Sequence, residues 1–230
     1  MKTKFLTLIL CAFVVKFSHA QSGGRIQAGI NLANISVTNS GRVDDANMLS
    51  SFQAGIIGDL HLGTMLYLQP GILFTGKGSK VQRGTQGASG YYRQTFNPHY
   101  LEIPANLVVK APLGTATKFF AGAGPYLAIG VGGKTKTEGQ TILGVRYNNE
   151  KKIKFSDDDP STLNEEEGAG FGIVKRFDYG ANGTVGIEGK SVVLSASYGF
   201  GLAKLQSGAN NSENNNNKNR VLSFTIGFKL

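Results

Sequence analysis

Residues 191–203 read Ser-Val-Val-Leu-Ser-Ala-Ser-Tyr-Gly-Phe-Gly-Leu-Ala. In an extended chain successive side chains point to opposite faces. Val192, Leu194, Ala196, Tyr198, Phe200 and Leu202 therefore share one face, and Ser195, Ser197, Gly199 and Gly201 the other. A period of two over this length predicts a strand with two unlike faces. The second face is unusual because it carries hydroxyls and hydrogens where a soluble strand carries Lys, Glu and Asp. Such a face is a poor solvent surface and suits a crowded interior.

Seven further stretches repeat the pattern. Residues 25–37 place Ile26, Ala28, Ile30 and Leu32 together. Residues 51–62 set Phe52, Ala54, Ile56, Leu60 and Leu62 against Gln53, Gly55, Asp59 and His61. Residues 65–77 and 99–110 alternate in the same way, with Leu68, Ile72 and Phe74 in the first and Leu101, Ile103 and Leu107 in the second. So do 118–132, 177–188 and 220–230, the last through Leu222, Phe224, Ile226, Phe228 and Leu230.

The connections alternate in length. Short ones fall near 63–64, 111–117 and 189–190, and long polar ones near 38–50, 78–98, 133–176 and 204–219. This rhythm predicts an up-and-down barrel whose loops are free to grow at one end. The apolar face is nearly free of charge, as lipid contact demands, since a charge at mid-bilayer costs roughly 2–4 kcal/mol. Strands of this length match the ~9–11 residues needed to cross at a tilt. Closure would satisfy every backbone donor and acceptor, which an open sheet in lipid cannot do.

Aromatic residues fit the same orientation. Phe52, Phe74, Tyr179, Tyr198 and Phe200 fall toward the long-loop end of the apolar face, and Phe119 and Phe228 toward the short-turn end. Two such girdles are expected of a membrane barrel. The sequence also ends on its last strand at Phe228 and Leu230, which resembles the terminal signal that delivers outer-membrane barrels to their insertion machinery.

Lys2 and Lys4, the apolar run Phe5–Val15 and Ser18-His19-Ala20 form a secretory signal peptide with cleavage after Ala20. The run is too short to span a bilayer as a helix. Leu8-Ile9-Leu10-Cys11 is a poor lipobox, because Leu10 is too large for the small residue required there. Residues 1–20 hold Lys2, Lys4, Lys16 and the single Cys, and no acid. The formal charge of +9 therefore falls to +6 over residues 21–230, which lack any thiolate for catalysis or metal binding. With 32 Gly, no Trp and no G-X-Y period, the composition excludes collagen and coiled coil.

Tyr100-Leu101-Glu102-Ile103-Pro104, followed by Asn106-Leu107-Val108-Val109-Lys110, resembles the "YLEIP…LLLK" strand of the PorT-like family of small outer-membrane β-barrels. Gly122-Ala123-Gly124-Pro125-Tyr126, Asp178-Tyr179-Gly180 with Gly183 and Gly186, and Gln27-Ala28-Gly29-Ile30-Asn31-Leu32 are similar to its other strands. The resemblance implies an eight-stranded outer-membrane barrel of a Gram-negative bacterium. The family's namesake takes part in protein secretion and gliding. The resemblance carries over no catalytic or binding residues.

Other motifs are weaker. Ala128-Ile129-Gly130-Val131-Gly132-Gly133-Lys134-Thr135 fits a loose P-loop, but no helical face follows to aim N–H groups at a phosphate. Its plainer reading is a strand running into a loop. Asp157-Asp158-Asp159 and Glu165-Glu166-Glu167 could attract Ca²⁺, yet they lack the alternating ligand pattern and read as a solvated loop. Asn210–Asn219 is low-complexity. His61 and Asp59 share a face as a base and its orienter might, but they lie near the short-turn end and read as part of a lumen network. His99 reads as a rim residue.

The expectation is an all-β, eight-stranded antiparallel up-and-down transmembrane β-barrel over 21–230, in the cell outer membrane after removal of 1–20. Arg25, Asp59, Glu102, Lys110, Lys118, Asp178, Glu188 and Lys229 are its candidate lumen charges. The reading is non-enzymatic: it assigns no catalytic, cofactor-binding or metal residue and no cofactor. Expected partners are outer-membrane lipid and lipopolysaccharide, together with other envelope or secretion proteins, and no nucleic acid. A barrel enzyme acting on lipid or peptide and a soluble lipocalin-like barrel are the alternatives.

Overall fold

The computed structural model describes residues 22–36, 48–141, 143–156, 173–205 and 218–230. The expected signal peptide, both acidic triplets and most of the Asn-rich run lie outside these residues. Twelve strands are described: β1 (Ser22–Ser36), β2 (Leu49–His61), β3 (Leu66–Gly76), β4 (Ser79–Arg83), β5 (Tyr92–Pro112), β6 (Lys118–Gln140), β7 (Arg146–Lys152), β8 (Lys154–Phe155), β9 (Ile173–Val174), β10 (Phe177–Glu188), β11 (Val192–Gly201) and β12 (Lys218–Lys229).

Eight of them close a ring in the order β1-β2-β3-β5-β6-β10-β11-β12 and back to β1, every pair antiparallel. The closing seam runs unbroken from Arg25 opposite Lys229 to Ser36 opposite Lys218. Closure removes the sheet edges that lipid could not satisfy. The tight turns 62–65, 113–117 and 189–191 lie at one end with both barrel termini.

The two faces sort as the alternation predicts. Ile30, Ile56, Leu107, Leu194 and Ile226 all point outward and stand 44–59% exposed. Gln27, Asn31, Gln53, Gln69, Ser223 and Thr225 point inward and are buried. The lumen also holds some apolar bulk, including Ile57, Leu73, Val108, Phe120 and Val193. Inward glycines make room for its rings. A Cβ on Gly186 would overlap the Phe120 ring, and one on Gly180 would approach the Tyr126 ring to 2.7 Å.

The structure departs from the sequence reading at the long-loop end. β5 and β6 run 21 and 23 residues, roughly twice the ~9–11 a membrane crossing needs. Their outer halves pair from Tyr92–Gly139 down to His99–Gly132, where an irregularity at His99/Tyr100 leaves Val131 unpaired. β4 and β7 flank them, so 79–83, 92–99, 132–140 and 146–152 form a projecting four-stranded sheet. Apart from His99 and Gly132, at the ends of expected strands, these residues were expected to be loops. The P-loop-like stretch, 128–135, runs from the barrel wall into this ribbon: β6 continues through it to Gln140. Ile35, Phe96, Ile153, Val174 and Leu205 pack into an apolar cluster where this sheet meets the barrel mouth.

Candidate functional site

The lumen charges fall into two layers. In the layer nearer the projecting sheet, Lys77 Nζ lies 2.8 Å from both Glu102 Oε2 and Asp178 Oδ2. The Tyr126 hydroxyl (3.2 Å) and Asn219 Nδ2 (3.0 Å) donate to the same Asp178 oxygen, and Asn182 Nδ2 donates to Glu102 (3.1 Å). Lys77 also sits over the Tyr126 ring, 4.2 Å from its centroid, a placement that favours a cation electrostatically.

In the layer nearer the short turns, Lys110 bridges Asp59 and Glu188, the latter at 2.5 Å, and Lys229 reaches Glu188 at 2.6 Å. Gln69 donates to Asp59 at 3.2 Å, and Arg25 Nε donates to Gln27 at 3.0 Å. Three buried cations (Arg25, Lys77, Lys110), joined by Lys229 from its exposed position at the short-turn rim, thus face four carboxylates (Asp59, Glu102, Asp178, Glu188). Such balance is what burial requires, since an unpaired interior charge is strongly destabilising.

Neutral polar groups form a further network in the lumen. Asn31 Nδ2 donates to Thr75 Oγ1 (2.9 Å) and the Gly76 carbonyl (3.0 Å), and Ser223 Oγ donates to Asn31 Oδ1 (2.8 Å). The chamber left between them measures about 50 Å³, space for only a few water molecules. The lumen is therefore filled by its own side chains.

Lys229 is exposed at the short-turn rim, though it reaches inward to Glu188, and two further expected lumen groups lie outside the network. Lys118 is exposed at the short-turn rim, 5.9 Å from the Tyr67 ring centroid. His61 is also exposed there, against the same ring at 4.9 Å. Both sit at strand ends, where inward parity no longer means enclosure. Asp59 is engaged by Lys110 instead, so the base-and-orienter pair does not form. Lys77, conversely, was absent from the expected set. It continues the odd-numbered inward face of β3 past Thr75, at the last position of the alternating stretch 65–77, next to the connection expected from 78 onward.

Residues 20–207 match the family described as outer membrane protein beta-barrel domain. The chain belongs to that family. It is a protein of the cell outer membrane. No curated protein matches it. Similar solved structures include Ail, the attachment invasion locus protein of Yersinia pestis, in complex with the heparin analogue sucrose octasulfate. That match has 12% identity and a TM-score of 0.41, covering 91% of this chain and 99% of that one. Neisserial surface protein A matches at 13% identity and TM-score 0.41, covering 90% and 97%. OprG from Pseudomonas aeruginosa matches at 11% and 0.38, covering 92% and 97%.

On this outer-membrane barrel the aromatic girdle is explicit at the long-loop end. Phe52, Phe74 and His99 cluster on the outward face with centroids 5.4–6.2 Å apart. Phe177, Tyr179, Tyr198 and Phe200 continue the band on the other side, all exposed. Above the band the surface turns basic. Lys134 pairs with Glu150 and Lys136 with Glu138 on the projecting sheet. The Lys136 ammonium holds the Glu138 carboxyl below its usual range, through their hydrogen bond first.

Proposed function

We propose that the protein is a non-enzymatic barrel that works through its outer end, either by its long loops and projecting sheet or as a component of an envelope or secretion assembly. The observation that carries this reading is the lumen: two ion-paired layers fill it, leaving the exterior as the working surface. The similarity of residues 100–110 to the PorT-like strand supports membership of an assembly. Cations above an aromatic band support contact with outer-membrane lipid and lipopolysaccharide, which present anionic groups at that depth. Residues 1–20 act as the export signal, and the mature chain begins at Gln21.

Crosslinking in intact cells, followed by capture from detergent extract, tests the reading against a variant lacking residues 134–152. Envelope proteins or glycolipid captured by the full chain and lost with the deletion are the expected result. Turnover of a lipid or peptide substrate by the purified barrel would overturn it.

A further inference from the structure

The cations of the lumen are not spread evenly along its axis. In the layer nearer the projecting sheet a single ammonium, Lys77, lies between two carboxylates. At the short-turn end the ratio reverses. A cup of about 190 Å³ opens there, and Arg25, Lys110, Lys118 and Lys229 line it together with two carboxylates, Asp59 and Glu188.

Both carboxylates are engaged. Lys110 bridges them, and Lys229 reaches Glu188 at 2.6 Å. Arg25 is buried, yet its guanidinium donates to neutral amide oxygens, those of Gln27 (3.0 Å) and Gln69 (3.5 Å). Lys118 lies over the face of Tyr67, whose ring centroid is also 4.5 Å from the Lys110 ammonium. Among the described residues neither Arg25 nor Lys118 has a carboxylate within ion-pair distance, and the Tyr67 hydroxyl has no hydrogen-bond partner.

The remaining acids of the chain belong to the other end of the barrel. Every Asp and Glu outside the described residues falls in 37–47, 157–172 or 206–217, which leave and rejoin the barrel at the long-loop end. Residues 1–21, which precede β1 at the short-turn end, contain no acid. Leu230, the last residue, is 75% exposed and does not line the cup.

Four cations against two carboxylates leave an excess of two positive charges. That excess matches a phosphate monoester, which carries about −1.5 to −2 at neutral pH. A carboxylate would leave one cation unmatched. The planar guanidinium of Arg25 suits phosphate oxygens, and Lys118 and the Tyr67 hydroxyl add donors from two other strands. With roughly 30 Å³ for each water, the cup has room for such a group and a few waters.

We propose that this cup binds a phosphate monoester, free or as a lipid headgroup, through Arg25, Lys118 and Tyr67. On the reading that the long-loop end faces the exterior, the cup opens to the periplasm.

The test uses the purified full-length barrel in neutral detergent micelles. Inorganic phosphate is titrated by calorimetry, and bound phosphatidic acid is counted by native mass spectrometry. Losing one hydrogen bond to a charged group costs about tenfold or more in affinity, so K118Q and Y67F should each bind about tenfold more weakly. K190Q, which removes a charge from the neighbouring exposed turn outside the cup, should stay within about twofold of wild type. Acetate should bind about tenfold more weakly than phosphate.

Inorganic phosphate bound with this variant dependence supports a free ligand, and phosphatidic acid alone bound with it supports a headgroup. Binding of neither probe, unchanged binding in K118Q and Y67F, or an equal loss in K190Q overturns the site. Acetate bound as tightly as phosphate also overturns it. Heat-modifiable migration confirms that each variant is folded. Binding in detergent does not depend on which way the barrel faces, so failure here defeats the site and not the orientation.

Discussion

Lys77 and Asp178 are 101 residues apart in the chain, yet their side chains meet in the lumen with Nζ 2.8 Å from Oδ2. The contact joins β10 to the residue just past β3 across the barrel interior, and Glu102 on β5 completes it. Removing the cation alone would leave two buried carboxylates without a counter-charge, which typically costs about 3–5 kcal/mol. K77M should therefore lower the temperature at which the folded gel band is lost. The triple variant K77M/E102Q/D178N should recover most of that loss. If K77M alone matches wild type in stability, the buried triad is not balanced as described.

The same filling predicts electrical silence. Planar bilayers containing the purified barrel should show no stable conductance of the size a 16-stranded porin gives, because the polar chamber holds only about 50 Å³ between charged layers. Long-lived large channels would contradict the closed lumen.

On the lipid side the expected response is different. Ile56 faces outward on β2, between Ile26 and Ile72 on the neighbouring strands. I56R places a charge against hydrocarbon and should cost roughly 2–4 kcal/mol of folding free energy in lipid vesicles. Q53S, a neutral polar change on the inward face of the same strand, should leave insertion intact. Tolerance of I56R in lipid would mean that Ile56 does not face hydrocarbon.

Gly186 tests the packing of the interior. A side chain there would overlap the Phe120 ring and also meet the Leu194 carbonyl. G186V should destabilise by about 1–3 kcal/mol, the usual cost of overpacking. Adding F120A relieves the ring overlap but not the backbone contact, so rescue measured by urea unfolding should be partial. Complete rescue would show that the backbone approach is unimportant.

The projecting sheet should be dispensable for folding. Leu143 is 92% exposed at its tip, and such tips are preferred sites of proteolytic nicking. Limited proteolysis of the vesicle-inserted protein should cut near Leu143 while the barrel keeps its heat-modifiable band. Loss of the folded band on cutting would place the sheet in the barrel's stability.

Which side chains face lipid was legible from local pattern, because strand parity is a nearest-neighbour property. Ser195, Ser197 and Gly199 opposite Leu194, Ala196 and Tyr198 were enough to place β11. The projecting sheet was harder to see. Lys134-Thr135-Lys136-Thr137 alternates, but with Lys and Thr rather than an apolar face it read as loop. Only its pairing with β5 and β7 makes it a strand.

By itself, the order of residues determined the barrel: period-two alternation sets both faces, and alternating loop lengths set the up-and-down course. Tertiary structure decided which charges meet. Parity puts a charge inward but says nothing of the height at which strands from distant parts of the chain bring it level with another. That height comes from the stagger of the closed ring. It joins Lys77 to Asp178 and Lys110 to Asp59, and leaves His61 and Lys118 at the rim.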